Sequence, residues 1–347
     1  MKLLSFQLAG KPTWGAVVGD RVVDLGAATG IAYAAAAALS GNRVFSNTVG
    51  IVDTVANPSD ALGFVGVTVP NEIFANATGV QLTGIMQNQH VLNNALGVTG
   101  SGILGGPDLD RANVIEANPI GVRFNGLVQF NRLVGNQVAI EATSNQLIAH
   151  NLLYRNVQQA IAMVAASNVQ VINNTFYSPI GDQIRLSGGA SNVEIRNNIF
   201  WSEAGYDIYV ADDSTRGFFS DYNDLHASGT GKLVYWTKDF TDLLDWQEDV
   251  AQFDLNSIGT TRVQPLVSTP QFASRDRDDY RVFDQAARQR RTSPTIDAGD
   301  PRTDLAIPAS YNNLLVNPGF ESLPANTGWT VTPSGGVRSA SPAPFSG

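Results

Sequence analysis

Short stretches in which apolar and polar residues alternate recur along most of the chain, and asparagines punctuate them. Val169 and Val171 precede Asn173 and Asn174, with Phe176 behind; Val193 and Ile195 precede Asn197 and Asn198, with Phe200 behind. The runs 167–177 and 191–201 agree position by position at an offset of 24 residues, and the run 144–154 agrees with the first at an offset of 23. Alternation over a few residues marks a strand with one buried face. Self-similarity at a period in the twenties marks a solenoid, in which each repeat buries its apolar face against the next. Helical spacing is absent over this span.

From Gly41 onward asparagine also recurs in pairs five residues apart: Asn42/Asn47, Asn71/Asn76, Asn88/Asn93, Asn113/Asn118, Asn131/Asn136 and Asn151/Asn156, with Asn174 and Asn198 continuing the first position. Stacked coils would bring these amides above one another as a hydrogen-bonded ladder. Two positions after the first Asn stand Val44, Ile73, His90, Ile115, Leu133, Leu153, Phe176 and Phe200, a column expected to point inward. A Gly or Ala followed by a β-branched residue comes next in most copies, as in Gly79-Val80, Gly121-Val122 and Ala160-Ile161, and opens a second strand.

This pattern resembles the right-handed parallel β-helix of the pectate-lyase-like superfamily. The resemblance implies an all-β, pectin-lyase-like solenoid over residues 41–231 and a closing region over 232–310. The words that carry the closing region are Pro270-Gln271-Phe272, Asp279-Tyr280-Arg281-Val282 and Ser293-Pro294-Thr295-Ile296-Asp297-Ala298-Gly299-Asp300. A cap is physically required, because a last coil otherwise exposes an apolar end and an unpaired edge. Residues 238–252 make the one helix expected, with Leu243, Leu244 and Trp246 on its apolar face.

Two further segments lie outside the repeat. Residues 1–40 form a β-rich extension. Within it KLLSF, WGAVVGD and VVDLG resemble the amino-terminal strands of the fumarylacetoacetate hydrolase family. That family's metal-binding carboxylates lie downstream, where this chain has the solenoid, so the resemblance carries over no catalytic residue and hydratase chemistry is the least supported reading. The words NLLVNPGFE and Gly328-Trp329 resemble the start of a carbohydrate-binding β-sandwich, which needs well over a hundred residues. Residues 311–347 are therefore expected to be poorly ordered.

Charged residues make up only 15 % of the chain and the net charge is −9. An acidic surface disfavours nucleic acid as a partner and tolerates bound cations. With no cysteine there is neither a disulfide nor a thiolate site. Residues 31–39 are apolar but too short to span a bilayer, and no export signal is read in residues 1–10. The β-helix resemblance implies an extracellular or cell-surface protein, expected as a monomer, with a polysaccharide partner.

The strand after each Gly or Ala places Gln81, Thr99, Arg123, Glu141, Ala162, Arg185 and Tyr209 in one outward column. In the β-helix lyases and hydrolases the substrate lies along such a face. On that resemblance Arg185 and Arg123 would neutralise a uronate carboxylate, Asp182 would serve beside Arg185, Tyr209 would move a proton, and Glu141 would line the path. The plainer alternative, a solvated face with an Arg123–Glu141 cross-strand pair, carries more weight. Asp207, Asp212 and Asp213 cluster near the last coils and suggest calcium, although acids in turns are common without a role. Tyr154, Tyr177 and Trp201 share one position on three successive coils. Facing out they would form a stacking platform for sugars, but the earlier members Phe45, Phe74, Val91 and Val134 favour a buried aromatic stack.

His90, His150 and His226 lack ligand spacing; His90 reads as core and the other two as surface. The run 100–105 matches a dinucleotide-binding glycine pattern literally, but Gly106-Pro107 cannot open the required helix, so it reads as a loop. The leading expectation is recognition, with lyase- or hydrolase-type cleavage as its extension, of an acidic polysaccharide. The rival is a non-catalytic, adhesin-like surface rod.

Overall fold

The computed structural model describes residues 41–53, 62–63, 69–106, 108–284 and 292–300 in full. Of the remainder it gives the backbone of the strands Lys2–Leu8, Lys11–Val18, Arg21–Asp24, Ile31–Ala32, Thr330–Val331 and Val337–Arg338. The first three of these form an antiparallel sheet. The expected sandwich over 311–347 lies outside the described residues, apart from the paired strands 330–331 and 337–338.

The repeat folds as a parallel β-helix. One face, sheet I, stacks ten short strands in sequence order from Arg43–Phe45 through Leu152–Tyr154, Thr175–Tyr177 and Ile199–Ser202 to Ile258–Gly259. The opposite face, sheet II, runs from Val49–Asp53 through Thr78–Met86, Leu96–Leu104 and Ile120–Gln129 to Tyr206–Val210 and Lys232–Trp236. The long strand Ile120–Gln129 divides the molecule. Its first half pairs with Val138–Ala142, which continues sheet II, and its second half pairs with Gln146–Ala149, which starts sheet III. The corner that separates them is built by side chains: Thr143 Oγ1 and Gln146 Nε2 both donate to the Phe124 carbonyl, at 2.8 and 2.9 Å. Sheet III continues through Ser167–Ile172, Ser191–Arg196 and Phe219–Asp221.

The run 100–105 is not the expected loop but largely strand. Residues 100–104 finish the strand Leu96–Leu104 in register with its neighbours on both sides. At Gly102 a Cβ would lie 2.2 Å from the Gly84 carbonyl oxygen, so glycine is needed for the coils to stack rather than to hold a phosphate.

Two asparagine ladders run through the interior corners. In the first, Asn131 Nδ2 donates to Asn151 Oδ1 at 3.0 Å, Asn151 to Asn174 at 3.0 Å and Asn174 to Asn198 at 3.1 Å. Each acceptor oxygen also takes the backbone N–H of the preceding rung, as Asn174 Oδ1 does from Asn151 at 2.9 Å. The second ladder runs from Asn47 through Asn76, Asn118 and Asn136 to Asn156 and ends at Ser178, whose hydroxyl donates to the Asn156 carbonyl. Apart from the half-buried Asn47 at the start of the second ladder, these asparagine rungs are nearly solvent-free, so each satisfied amide replaces an orphaned buried group.

One copy departs from the expected frame. Asn88 and Asn93 are not rungs; Gln89 and Asn94 are. Asn88 and Asn93 hold the left-handed backbone position just before each rung, at φ 52° for both, where Asn is tolerated better than most residues. Asn173 and Asn197 do the same before Asn174 and Asn198. The inward column therefore reads Val91, not His90, and is apolar throughout.

That column faces Ile51, Val80, Val98, Val122, Ile140, Ile161, Ile184 and Ile208 across a thin core in which these side chains are fully buried. Burial of each contributes roughly 1.5–3 kcal/mol before chain entropy is charged against it. At the closing end α1, Leu243–Val250, is shorter than the expected 238–252, because Lys238–Phe240 turns back as an antiparallel strand. Asp242 caps α1 by accepting the Leu244 N–H at 2.9 Å, and Leu243 and Trp246 complete the core. Among the described residues no helix is long and apolar enough to cross a membrane.

Candidate functional site

Register places the expected outward column on one line. Gln81, Thr99, Arg123 and Glu141 are cross-strand neighbours in turn, and Ala162, Arg185, Tyr209 and Tyr235 follow. Alternation about the inward Val122/Phe124, Ile184/Leu186 and Ile208/Val210 pairs turns all of them toward solvent. Tyr235 extends the column beyond the residues singled out by sequence. It stands three residues past Lys232 in the strand Lys232–Trp236, where the asparagine frame no longer marks the register.

Two arrangements occupy this face. At its middle Arg123 Nε donates to Glu141 Oε2 at 2.6 Å, the cross-strand pair weighed above. Toward the closing end the Arg185 guanidinium lies 3.7 Å from the centre of the Tyr209 ring, and Tyr209 stacks on Tyr235 at 4.4 Å and 10°. Tyr206 meets Tyr209 edge-on at 5.2 Å, and its hydroxyl donates to Asp239 at 2.7 Å while accepting from Lys232 at 3.2 Å. Burial and the Asp239 hydrogen bond raise the Tyr206 pKa, the Lys232 hydrogen bond lowers that of Asp239, and the same bond raises that of Lys232. At neutral pH this corner therefore holds a neutral phenol between an ammonium and a carboxylate.

The three residues given catalytic parts, Arg185, Asp182 and Tyr209, do come together. Their bonding is specific. Asp182 Oδ2 accepts from Arg185 Nη1 at 2.6 Å, and Asp182 Oδ1 accepts the backbone N–H of Tyr206 at 3.1 Å. Both carboxylate oxygens are engaged and the side chain is only 11 % exposed. The Tyr209 ring has its faces against Arg185 and Tyr235, which leaves its edge and hydroxyl for solvent and suits hydrogen bonding to hydroxyls and carboxylates more than flat stacking.

The three acids assigned to calcium do not converge. Asp212 and Asp213 are exposed in the turn 212–214, whereas Asp207 is fully buried, with Oδ1 accepting from Ser202 Oγ at 2.7 Å. Asp207 continues the corner column of Gly50, Gly79, Gly97, Gly121, Ala139, Ala160 and Gln183, so residues 207 and 208 both face inward and strict alternation fails there. Among the described residues no group of three or more His, Asp or Glu is placed to hold a metal ion.

Tyr154, Tyr177 and Trp201 face out of the coil yet are covered. A hairpin of Phe272–Ser274 and Asp279–Val282 lies over them: Tyr280 approaches Tyr154 at 5.0 Å and Tyr177 at 5.6 Å, and Phe272 stacks on Trp201 at 5.9 Å. Arg275 sits 3.8 Å over Trp201 and pairs with Glu203 at 2.6 Å. Beneath this cover Tyr154 and Tyr177 are buried and Trp201 is half-buried. Their column passes through Leu92 rather than Val91. Two histidines also change place. His226 is buried, edge-on to Trp201 at 4.8 Å and within 3.1 Å of Thr260 Oγ1, whereas His90 is half-buried and pairs with Glu116 at 3.1 Å. His150 is half-buried against the Phe130 ring at 4.7 Å.

Residues 111–241 match the family model described as a right handed beta helix region. That match and the parallel stacking agree on a right-handed parallel β-helix. No curated protein and no solved structure matches the chain.

Proposed function

We propose that this right-handed β-helix recognises an acidic polysaccharide along the outward face of sheet II, at or outside the cell surface. The observation that carries the reading is the Arg185–Tyr209–Tyr235 stack, flanked by Tyr206 and Lys232, on the solvent-facing column of sheet II. A guanidinium held by an aromatic face is pre-oriented for a carboxylate, and the phenols donate to and accept from hydroxyls. Recognition is favoured over cleavage because Asp182, the base beside Arg185, already spends both oxygens on protein donors. The surface-rod reading requires only the ladders and the core.

The test is calorimetric titration with polygalacturonate, alginate and uncharged dextran, alongside an assay for unsaturated product. Binding of a polyuronate that drops at least tenfold in Arg185→Ala, with no product, supports recognition. Product formed by the wild type and lost in Arg185→Ala would make the site a lyase. Absence of both binding and product overturns the proposal in favour of a rod.

A further inference from the structure

Sheet III carries a feature unrelated to the sheet II face. Asn145, Asn168 and Asn192 occupy the same place on three successive coils, each in the left-handed backbone conformation at φ 60°, 57° and 52°. Their exposed side chains form a third row of amides, outside the coil: Asn168 Nδ2 donates to Asn145 Oδ1 at 2.9 Å and Asn192 Nδ2 to Asn168 Oδ1 at 3.1 Å. Two residues on, Leu147, Gln170 and Glu194 make a parallel outward column in register. Between the two rows runs a groove of about 420 Å³ along the coil axis.

The lining determines what this groove can take. Glu194 is its one charged residue, and that charge is already met by Arg196 Nε at 3.0 Å and Gln170 Nε2 at 2.9 Å. The groove thus offers neither a free cation for a polyanion nor a free anion for a polycation. It offers amides, each with donors and acceptors to spare after the row's own bonds are made. The row stops at Asn192: on the next coil Gly217, at φ 68°, packs against it, so closely that a Cβ there would lie 2.2 Å from Asn192 Oδ1, and adds no further amide. Amides repeated at the strand spacing of about 4.8 Å present the same donor–acceptor set once per coil, and Leu147 adds an aliphatic contact for C–H faces.

We infer that this groove is a second binding surface, separate from sheet II, for an extended, uncharged glycan lying parallel to the coil axis. Hydroxyl groups are the partners that both donate to and accept from amides without demanding charge, and a linear glycan repeats them at intervals comparable to the coil spacing.

The test uses cellohexaose, xylohexaose and mannohexaose as probes, titrated against the full chain by calorimetry and by ¹⁵N-labelled side-chain amide shifts. Two variants challenge the site. Asn168→Gly keeps the left-handed backbone and removes the central amide; Gln170→Ala empties the facing column. The expected result is saturable binding of at least one probe, weakened tenfold or more by either variant, with unfolding midpoints close to wild type and with Arg185→Ala binding as wild type does. No saturable binding of any probe, binding that survives both variants, or binding lost in Arg185→Ala each overturns the inference. The polyuronate result on sheet II is read separately, so the two proposals fail independently.

Discussion

Arg196 and Asp300 stand 104 residues apart in the chain and meet in a buried ion pair, Nη1 to Oδ2 at 2.6 Å, that ties the closing region to sheet III. The two side chains are 8 % and 0 % exposed. The Asp300 N–H also donates to Asn197 Oδ1 at 2.8 Å, so the aspartate docks on the turn that carries the first ladder. Arg196 in turn holds Glu194, which links this tie to the rim of the sheet III groove.

Removing Asp300 strips the nearly dry Arg196 guanidinium of its buried partner and leaves it only the half-buried Glu194. Asp300→Ala is expected to lose about 3–5 kcal/mol of stability, whereas Arg196→Met combined with Asp300→Leu should recover most of it. Urea titration of the three proteins checks this. Equal losses in the single and double variants would mean that the closing region is held by other contacts.

The ladder gives a sharper contrast. Asn151→Leu or Asn174→Leu removes a rung whose oxygen serves both an amide and a backbone N–H. Each should cost about 1–3 kcal/mol through buried groups left unpaired. Asn168 makes a similar amide bond on the outside, where water replaces any lost partner, so Asn168→Gly should leave the denaturation midpoint almost unchanged. Unchanged midpoints for the interior variants would refute the ladder's role.

How far these features were legible follows from their range. The ladders and the core repeat within one coil, so asparagine spacing and alternation displayed them directly. The frame slipped at Asn88 because Asn suits both the left-handed corner and the rung, and Gln89 took the rung one residue later. The orientation of Asp207 was hidden because the corner before sheet II puts two successive residues inward. What covers Tyr154, Tyr177 and Trp201 could not be read at all. An aromatic column looks the same whether sugar or hairpin lies on it, and Tyr280 arrives from more than a hundred residues downstream of Tyr177.

Tyr280 supplies its own prediction. It is 2 % exposed and wedged among Tyr154, Tyr177 and Phe272. Truncation to Ala should cost about 3–5 kcal/mol, as for other large buried aromatics. If the hairpin lifts, Trp201 emission will shift to longer wavelength before global unfolding. A variant with native stability and an unshifted spectrum would show that the hairpin does not seal this stack.

The last prediction concerns pH. Burial raises the carboxyls of Asp207 and Asp224 well above their ordinary range, and the proximity of Asp207 adds to the rise at Asp224. Oδ2 of Asp207 and both oxygens of Asp224 are buried without a hydrogen-bond partner. With the folded value above the unfolded one, the folded state binds the extra proton. The stability these groups contribute is complete below the unfolded value of 3.8 and is lost as pH rises through the folded values. His226 acts in the opposite sense. Burial first, then the charge of Arg275, lowers it from 6.5 to about 4, so stability falls as pH drops across that interval. Asp224→Asn removes one buried charge and should raise the urea midpoint at about pH 8 while changing it little at about pH 4. His226→Gln should instead flatten the loss between about pH 6 and pH 4. Both are read from midpoints measured across that range. An Asp224→Asn protein with a lower midpoint at about pH 8 would mean that the ionised carboxylate stabilises the closing coils through a partner it gains in solution.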